Sequence, residues 1–260
     1  MKQLPTQSVA IVVPCFNEQD GLPMLADRID CLTERFGSDY DFSFVFVDDG
    51  STDDTWTVLQ SLFGAKQHCY LVRHDKNSGI NAAISSGAAR LDVDIICTMD
   101  SDCSYDPMMF GEMIPLLSDG VSVVTASPYH RDGRTEDVSA FRLLLSRGAS
   151  ILYRFVFHQK LATYTSCFRV YRRSALTAVH TEHRGFIGIA EVLARLDHAG
   201  YRIIEYPAVL RSRRHGASKL RLPRTIAGHL GLMTTLAFAK YFGRVQPRLV
   251  SGDGVHPNAD

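Results

Sequence analysis

Residues 42–55, FSFVFVDDGSTDDT, decide the fold that the sequence predicts. Five of the first six residues are aromatic or β-branched, which is typical of a buried β-strand. The acidic and small residues that follow predict a tight loop, and Ser51 is suited to cap a helix that begins after it. A strand that ends in carboxylates and leads into a helix is the basic unit of an α/β fold.

The same unit recurs along the first half of the chain. Short apolar runs predict strands at 9–13, 70–72, 93–99 and 121–126, and helical patterns occupy 18–35, 53–63, 82–91 and 107–117. Strands that alternate with helices imply crossover connections. The sequence therefore predicts an α/β fold with a mainly parallel central sheet flanked by helices.

The second half of the chain is more helical. Two strands are predicted at 168–171 and 202–206, with a helix at 189–199 between them, and a polar loop at 130–138 precedes them. The segments 141–158 and 225–242 predict amphipathic helices. We expect one catalytic domain over residues 1–222, an apolar helix at 223–243 and a disordered tail at 244–260.

Composition excludes several classes of protein. The 260 residues carry 28 Lys and Arg against 28 Asp and Glu, which argues against a nucleic-acid partner. The six cysteines form no CxxC pair, which indicates reduced thiols in a cytoplasmic protein. Residues 1–7 lack the pattern of a signal peptide, and no run of ~20 apolar residues predicts a membrane span.

Polar side chains follow three of the predicted strands, where ligands bind in open parallel sheets. Asp100 and Asp102 are two residues apart, so an extended backbone would direct both to one side. Their hard oxygen atoms suit Mg²⁺ or Mn²⁺, which would also bind a diphosphate. On the residues alone, each turn is also compatible with a solvated loop or a helix start. The other polar residues at these strand ends are Asn17, Glu18, Asp48 and Asp49.

Several segments resemble the motifs of glycosyltransferase family 2, whose members have the GT-A (nucleotide-diphospho-sugar transferase) fold. They are VVPCFNE at 12–18, VDDGSTDDT at 47–55, NSGINAAISSGAA at 77–89 and MDSDCSYDP at 99–107. Within the family, TSCFRVYRR at 165–173 and RSRRHGASKL at 211–220 resemble motifs of the polyprenyl-phosphate (dolichol-phosphate) mannosyltransferases. The combination is far more specific than any single motif.

The resemblance implies a role for each matching residue. Nucleotide-sugar contacts are implied for Pro14, Asn17, Glu18, Asp48, Asp49 and Asp100. The metal, Mg²⁺ or Mn²⁺, would be held by Asp100, Asp102 and Ser104. The acceptor phosphate would meet Arg142, Ser146, Arg213 and Ser218, and the residues implied in catalysis are Asp102, Arg213, Lys219 and Glu191.

Three positions depart from the mannosyltransferase pattern. Ser104 stands where a metal-contacting Gln is usual, Pro128 replaces an Arg, and Thr163 lies where an Asp often precedes the TSGFR motif. The resemblance therefore specifies the transferase class more strongly than the sugar or the acceptor.

The implied reaction is an inverting, metal-dependent transfer of a hexose, from GDP-mannose or a UDP-hexose, to a polyprenyl (dolichyl-type) phosphate. A phosphate acceptor is already ionised at neutral pH and needs no strong base. A soluble or glycan hydroxyl acceptor would need one, and Glu191 in GFIGIAE is the candidate. A non-catalytic nucleotide-sugar-binding protein is a more remote alternative. A nucleotidyltransferase is disfavoured because the sequence lacks its Gly-rich phosphate loop.

The two apolar helices predict how the protein meets a lipid acceptor. Their apolar faces, with Arg147 and Arg154 beside them, suit a peripheral position on the cytoplasmic face of a membrane. The alternative is that both helices pack in the core or in a dimer interface.

Overall fold

The computed structural model describes residues 7–118, 120–212 and 222–242. The strands are β1 (Gln7–Cys15), β2 (Tyr40–Asp48), β3 (Cys69–Arg73), β4 (Ile95–Thr98), β5 (Val121–Ser127), β6 (Arg134–Glu136), β7 (Arg169–Arg172), β8 (Arg202–Pro207) and β9 (Val209–Arg211). The helices are α1 (Leu22–Phe36), α2 (Thr55–Phe63), α3 (Ile80–Ala88), α4 (Phe110–Met113), α5 (Ala140–Val156), α6 (Arg173–Thr177), α7 (Phe186–His198) and α8 (Leu222–Phe242).

The central sheet contains seven strands within the described residues, in the order β3-β2-β1-β4-β7-β5-β8. Every pairing is parallel except those of β7, which runs antiparallel to both β4 and β5. Because β4 and β5 are both antiparallel to β7, they are parallel to each other. The strands β1, β2, β4 and β5 therefore all end at the same edge of the sheet. The predicted α/β class with a mainly parallel sheet is confirmed.

The centre of the sheet is buried on both faces, as the unbroken apolar runs predict. Along β1, side chains that alternate in direction pack into two different clusters. Val9, Ile11 and Val13 join the helices α1 and α2, whereas Val12 packs with α3. The sheet is therefore a rigid support for the turns at its carboxyl edge.

Two local predictions were wrong. The helix predicted at 107–117 is only the single turn α4, flanked by 3₁₀ turns at Pro107–Met109 and Ile114–Leu116. Pro115 has no amide hydrogen and restricts its neighbour, so a regular helix cannot continue through it. The loop predicted at 130–138 contains β6, which pairs in parallel with β9. Each of these strands has only three residues, which is too few for the alternation of apolar and polar side chains to be recognised in the sequence.

Helix α8 packs against α5 and α7 through the buried side chains of Leu232, Met233 and Leu236. His229 accepts or donates a 2.6 Å hydrogen bond with the Tyr153 hydroxyl of α5. One face of α8 therefore belongs to the same core as α5, and the division at residue 222 stays an interpretation. The predicted tail lies outside the described residues. Among the described residues, no helix has both the length and the apolar character needed to span a bilayer.

Candidate functional site

Three polar turns meet at the carboxyl edge of the sheet. In the register of the central strands, Cys15 lies beside Asp48, and Val12 lies beside Thr98. The pairing continues past β2, since the Asp49 amide donates to the Cys15 carbonyl at 2.8 Å. The turns that follow β1, β2 and β4 (residues 15–18, 48–53 and 100–104) are therefore neighbours, and we call them the acidic edge.

Hydrogen bonds join the first two turns of the acidic edge. Asn17 has a φ of 53°, its amide donates to the Ser51 hydroxyl at 2.9 Å, and its side-chain oxygen accepts from the Thr52 amide at 2.8 Å. The Glu18 amide donates to the Thr55 hydroxyl at 2.8 Å. The predicted helix cap by Ser51 was wrong, because α2 begins after Asp54 and the Ser51 hydroxyl holds the neighbouring turn instead.

Asp48 is fully buried at the end of β2. One carboxylate oxygen accepts from the Ser51 amide at 3.0 Å. The other lies 3.1 Å from Nε of the half-exposed Arg73, yet this ion pair lacks hydrogen-bond geometry and the oxygen has no hydrogen bond among the described residues. An oxygen of this kind can accept a hydrogen bond from a ligand while it stays paired with Arg73.

Asp49 holds the loop that precedes α3. Its carboxylate accepts from the backbone amides of Ser78 at 2.9 Å and Gly79 at 2.7 Å, and it lies 2.7 Å from Nδ1 of His74. Gly79 has a φ of 101°, a conformation that favours glycine. Asp49 is thus engaged within the protein, and the implied contact of its carboxylate with a nucleotide stays a prediction.

The turn after β4 is built on a buried carboxylate. Asp102 is 6% exposed, and its Oδ1 accepts from the Ser104 amide at 2.9 Å. Cys103 between them has a φ of 50°, which closes the turn tightly. The Ser104 carbonyl accepts from the Arg211 amide at 2.9 Å, so the end of β9 is fixed against this turn.

The Ser104 hydroxyl is buried and has no hydrogen-bond partner among the described residues. It lies one residue beyond Cys103 in the turn that Asp102 closes. A carboxylate and an unmatched hydroxyl in one turn are oxygen ligands of the kind that Mg²⁺ and Mn²⁺ prefer. The residues present therefore fit a divalent ion, and a role for Ser104 as one of its ligands stays a prediction.

The electrostatic potential of the acidic edge is negative. Burial, then the Asp102 carboxylate, raises the pKa of the Cys103 thiol to about 12, with Arg28 opposing the shift. Burial, then the charges of Glu18 and Asp48, raises the pKa of Cys15 as well. The carboxylate charges that add to these two shifts would also favour a bound cation.

Arg142, near the start of α5, lies within electrostatic range of Tyr105, which directly follows the turn after β4. Burial is the main cause that raises the pKa of the Tyr105 hydroxyl; the Asp100 charge adds to the shift and the Arg142 charge opposes it. Asp100 and Arg142 therefore act on the same hydroxyl. Ser146 lies one turn after Arg142 and is half-buried. The implied residues Arg213, Ser218 and Lys219 lie outside the described residues.

Glu191 anchors a loop of the protein. It is 1% exposed, and its carboxylate accepts from the amides of Glu182 and His183, at 3.1 and 2.9 Å, and from Nε of Arg195 at 2.7 Å. Burial alone would raise the pKa of Glu191, but these hydrogen bonds, with one from the His183 ring, lower it. A carboxylate engaged on both oxygens and of lowered pKa is poorly suited to take a proton from a substrate hydroxyl.

The sequence did not predict the hydrogen bonds that fix Ala162 and Thr163, in the segment before β7. Glu205 of β8 accepts from the amides of Ala162 at 2.8 Å and Thr163 at 2.9 Å. The Thr163 hydroxyl lies 2.8 Å from that of Ser127 at the end of β5. Thr163, one of the three departures from the mannosyltransferase pattern, is thus used inside the protein. An isolated Glu in a strand carries no sequence signal for this role.

Residues 10–179 match the model of the family described as Glycosyl transferase family 2. This match covers more than half of the chain. The chain belongs to glycosyl transferase family 2.

Relatives of this family-2 chain include enzymes named for lipid-phosphate acceptors. It is 27% identical over 215 residues to a dolichol-phosphate mannosyltransferase of Pyrococcus furiosus, covering 82% of this chain and 59% of that one. It is 30% identical over 236 residues to an undecaprenyl-phosphate 4-deoxy-4-formamido-L-arabinose transferase of Klebsiella pneumoniae, covering 89% and 68%. The chain thus spans less than two thirds of the length of the Pyrococcus relative.

Solved structures share the fold. Glucosyl-3-phosphoglycerate synthase of Mycobacterium tuberculosis, solved with Mn²⁺, UDP and glucosyl-3-phosphoglycerate, superposes with a TM-score of 0.61 at 20% identity, covering 88% of this chain and 78% of that one. The predicted GT-A fold is confirmed.

Proposed function

We propose that this protein transfers a hexose from a nucleotide-sugar donor to a polyprenyl phosphate, in one inverting displacement assisted by Mg²⁺ or Mn²⁺. The observation that carries the proposal is the acidic edge, in which the buried Asp102 and the unmatched Ser104 hydroxyl share one turn. Membership of family 2 and the lipid-phosphate acceptors in the names of two relatives support it.

The donor half of the proposal rests on the first two turns. The buried Asp48 oxygen that makes no hydrogen bond would accept from the base or ribose, and Pro14, Asn17 and Glu18 would line the same side. Asp49 would act as a positioning residue, because its carboxylate fixes the loop before α3.

The metal would be held by Asp102 and Ser104, with Asp100 beside them. When bound, it supplies a Lewis acid that stabilises the charge of the departing nucleotide diphosphate. The chain's own part is to fix the turn: Ser104 donates its amide to Asp102, and Arg211 ties the turn to β9. Arg213 and Lys219, implied to bind anions, follow shortly after Arg211 in the chain.

The acceptor that we propose is a phosphate, which needs no strong base to attack the donor. A phosphate acceptor attacks as an anion, and Glu191 is engaged as a structural anchor. Arg142 and Ser146 of α5, with Ser218, would hold the acceptor phosphate. A hydroxyl acceptor with Glu191 as base is the second candidate, and the hydrogen bonds of Glu191 disfavour it.

A membrane surface is the place where a polyprenyl phosphate is met. Ten of the twelve exposed large apolar side chains in the described part of the chain lie on α5 and α8, and we call this set the apolar face. Such a concentration marks an interaction surface. We propose that the apolar face enters the cytoplasmic leaflet, with α5 and α8 lying in the interface. The apolar face comprises Phe141, Leu144, Ile151, Leu152, Phe155, Ile226, Leu230, Phe238, Tyr241 and Phe242.

The test is a donor panel assayed for release of nucleotide diphosphate. GDP-mannose, UDP-glucose and UDP-N-acetylglucosamine are each incubated with Mn²⁺ or Mg²⁺, with and without a polyprenyl phosphate in detergent. Release that requires both the metal and the lipid phosphate, with a glycolipid of inverted anomeric configuration as product, is expected. Release that requires a hydroxyl acceptor instead would replace the lipid-phosphate proposal with the second candidate.

A further inference from the structure

A cavity of about 560 Å³ opens beside the carboxyl end of β5. Its wall is formed by the segment after β5, by β6 and by the middle of α5, and its polar members include His130, Arg134, Arg147, Ser150 and Arg154. We call it the arginine pocket. Pro128, which replaces an Arg of the mannosyltransferase pattern, lines it, but none of the residues to which the resemblance assigns a donor, metal or acceptor contact does. Its volume lies within the range of small-molecule sites, about 300–1,000 Å³.

The pocket has a strongly positive wall. Three of its lining residues are arginines, and no carboxylate lines it within the described part of the chain. Neither Arg147 nor Arg154 has an ion pair with a carboxylate among the described residues; the Arg147 guanidinium instead lies 5.2 Å from the centre of the Tyr129 ring. The Nε atom of Arg134 lies 3.5 Å from Oε1 of Glu136, and an exposed ion pair of this kind contributes little to stability. Unpaired guanidinium groups around a cavity favour an anion with more than one charge.

A second, independent feature is Ser150. Its side chain is 4% exposed and lines the pocket, and its hydroxyl has no hydrogen-bond partner in the part of the chain that the structure describes. A buried hydroxyl that makes no hydrogen bond costs stability. Placed among arginines, this hydroxyl is suited to donate to an oxygen of a bound anion.

The helix also positions the pocket relative to the apolar face. At about 100° per residue, Arg147 and Arg154 lie roughly 90–115° around α5 from the middle of the stripe formed by Leu144, Leu152 and Phe155. If that stripe enters lipid, the arginines reach the level of the headgroups. The strand β5, whose carboxyl end the pocket adjoins, is two strand spacings, about 10 Å, from β4 in the same sheet.

We propose that the arginine pocket binds a phosphomonoester dianion, with Arg147 and Arg154 matching its charge and Ser150 donating a hydrogen bond to one of its oxygens. A phosphomonoester carries a charge near −1.5 to −2 at pH 7 and offers three acceptor oxygens, which fits this wall better than a single carboxylate. The inference rests on the proposed function only for the molecule to which the phosphate is attached, a lipid or a water-soluble compound.

Calorimetric titration of the full chain, without donor, tests the binding. The probes are inorganic phosphate, the water-soluble geranyl phosphate, and vesicles of phosphatidylcholine with phosphatidylglycerol, a phosphodiester. Ser150→Ala and the double variant Arg147→Ala with Arg154→Ala should each weaken binding of inorganic phosphate and of geranyl phosphate at least about tenfold, the scale of one hydrogen bond to a charged group. Arg131→Ala is the matched control, because Arg131 is exposed, lies near the pocket in sequence and does not line it.

The outcomes separate the possibilities. Tighter binding of geranyl phosphate than of phosphate, lost in the pocket variants, supports a lipid phosphate; equal binding of both supports a water-soluble phosphate. Equal loss in Arg131→Ala, or unchanged monoester binding in the pocket variants, overturns the pocket. So does binding to the vesicles alone, since a general attraction to anionic lipid explains that result.

Two further measurements keep this inference distinct from the proposed function. Ser150→Ala should not lower the free energy of unfolding, because the hydroxyl has no partner to lose, and a destabilised variant would be replaced by Ser150→Cys. Monoester binding that persists in a protein showing no sugar transfer would leave the pocket standing and remove the proposed function.

Discussion

The acidic edge and the pair of helices α5 and α8 are built in opposite ways. On the acidic edge, polar side chains bind the backbone of neighbouring segments: Asn17 accepts from the Thr52 amide of the next turn, and Asp49 accepts from the Gly79 amide of the loop before α3. On α5 and α8, large apolar side chains such as Leu144 and Phe242, 70% and 74% exposed, face outward. The first region is preorganised by the protein itself, whereas the second presents a surface that a partner would have to cover.

This difference separates two requirements of the proposed reaction. A diphosphate and a metal are small and rigid, so the site that binds them gains from turns that do not move. A lipid acceptor is long, flexible and partly held by the membrane, so an exposed apolar face with cationic side chains beside it suits it better. Substitutions in the acidic edge and in helices α5 and α8 test these two requirements separately.

The largest expected effect concerns Asp102. Asp102→Asn keeps a carbonyl oxygen to accept from the Ser104 amide but removes the charge, so transfer should fall at least about 100-fold while the free energy of unfolding changes little. Initial rates at saturating donor, together with urea unfolding, measure both quantities.

The matched control for Asp102 is Asp92→Ala. Asp92 is an exposed carboxylate that precedes β4 and pairs with Arg173 on the opposite edge of the sheet, so its loss should leave the rate unchanged. Near-normal turnover of Asp102→Asn would contradict the assignment of Asp102 as a metal ligand, and with it the proposed role of the acidic edge.

Asp49 should show the reverse behaviour. Asp49→Ala leaves the amides of Ser78 and Gly79 and the His74 ring without their acceptor, and it should lower the free energy of unfolding by about 2–4 kcal/mol. Donor binding should weaken because the loop before α3 loses its position. Asp53→Ala, which removes one hydrogen bond to the Thr55 amide, is the control and should cost roughly 1 kcal/mol. A fully stable Asp49→Ala protein that fails to bind donor would assign this carboxylate to the nucleotide instead.

Replacing Glu191 should have a smaller effect, on the free energy of unfolding, and this effect should depend on pH. Its pKa is lowered in the folded state, so its stabilisation is present above the ordinary pKa of a glutamate and is lost as pH falls through the folded-state value. Glu191→Gln should lower the free energy of unfolding at pH 7 by about 1–3 kcal/mol, and the difference from the unchanged protein should shrink in acid. Unfolding by urea at a series of pH values measures this. Loss of transfer in a variant of unchanged stability would support Glu191 as a base.

The sequence predicted the first half of the chain better than the second for a physical reason. Buried parallel strands and the motifs at their ends are local patterns, so the runs around Val45 and the turn at Asp102 were recognisable without any partner segment. The roles of Asp49 and Glu191 depend on amides that lie 29 and 8 residues away, which no local pattern records. The antiparallel β7 and the β6–β9 pair likewise depend on contacts distant in sequence.

The smallest expected effect concerns the apolar face. Phe155 and Phe238 are 64% and 60% exposed on α5 and α8, and serine at both positions removes aromatic area that lies mostly outside the core. If the face enters lipid, sedimentation with vesicles of phosphatidylcholine and phosphatidylglycerol should weaken at least about fivefold, since each buried aromatic ring contributes on the order of 1 kcal/mol or more. High salt should weaken it further by screening the attraction between arginines and headgroups.

The control for the apolar face is serine at Leu116 and Phe186, the two exposed large apolar side chains of the described residues that lie on neither helix. These positions are less exposed, at 36% and 39%, so their replacement should leave sedimentation unchanged. Equal losses in both double variants would indicate general stickiness and not a face. A protein that stays in the supernatant at low salt, yet runs as a dimer that the Phe155 and Phe238 variant dissociates, would show that a second copy covers these helices. The acceptor would then have to reach the acidic edge without help from lipid contact, and a water-soluble acceptor would become the better hypothesis.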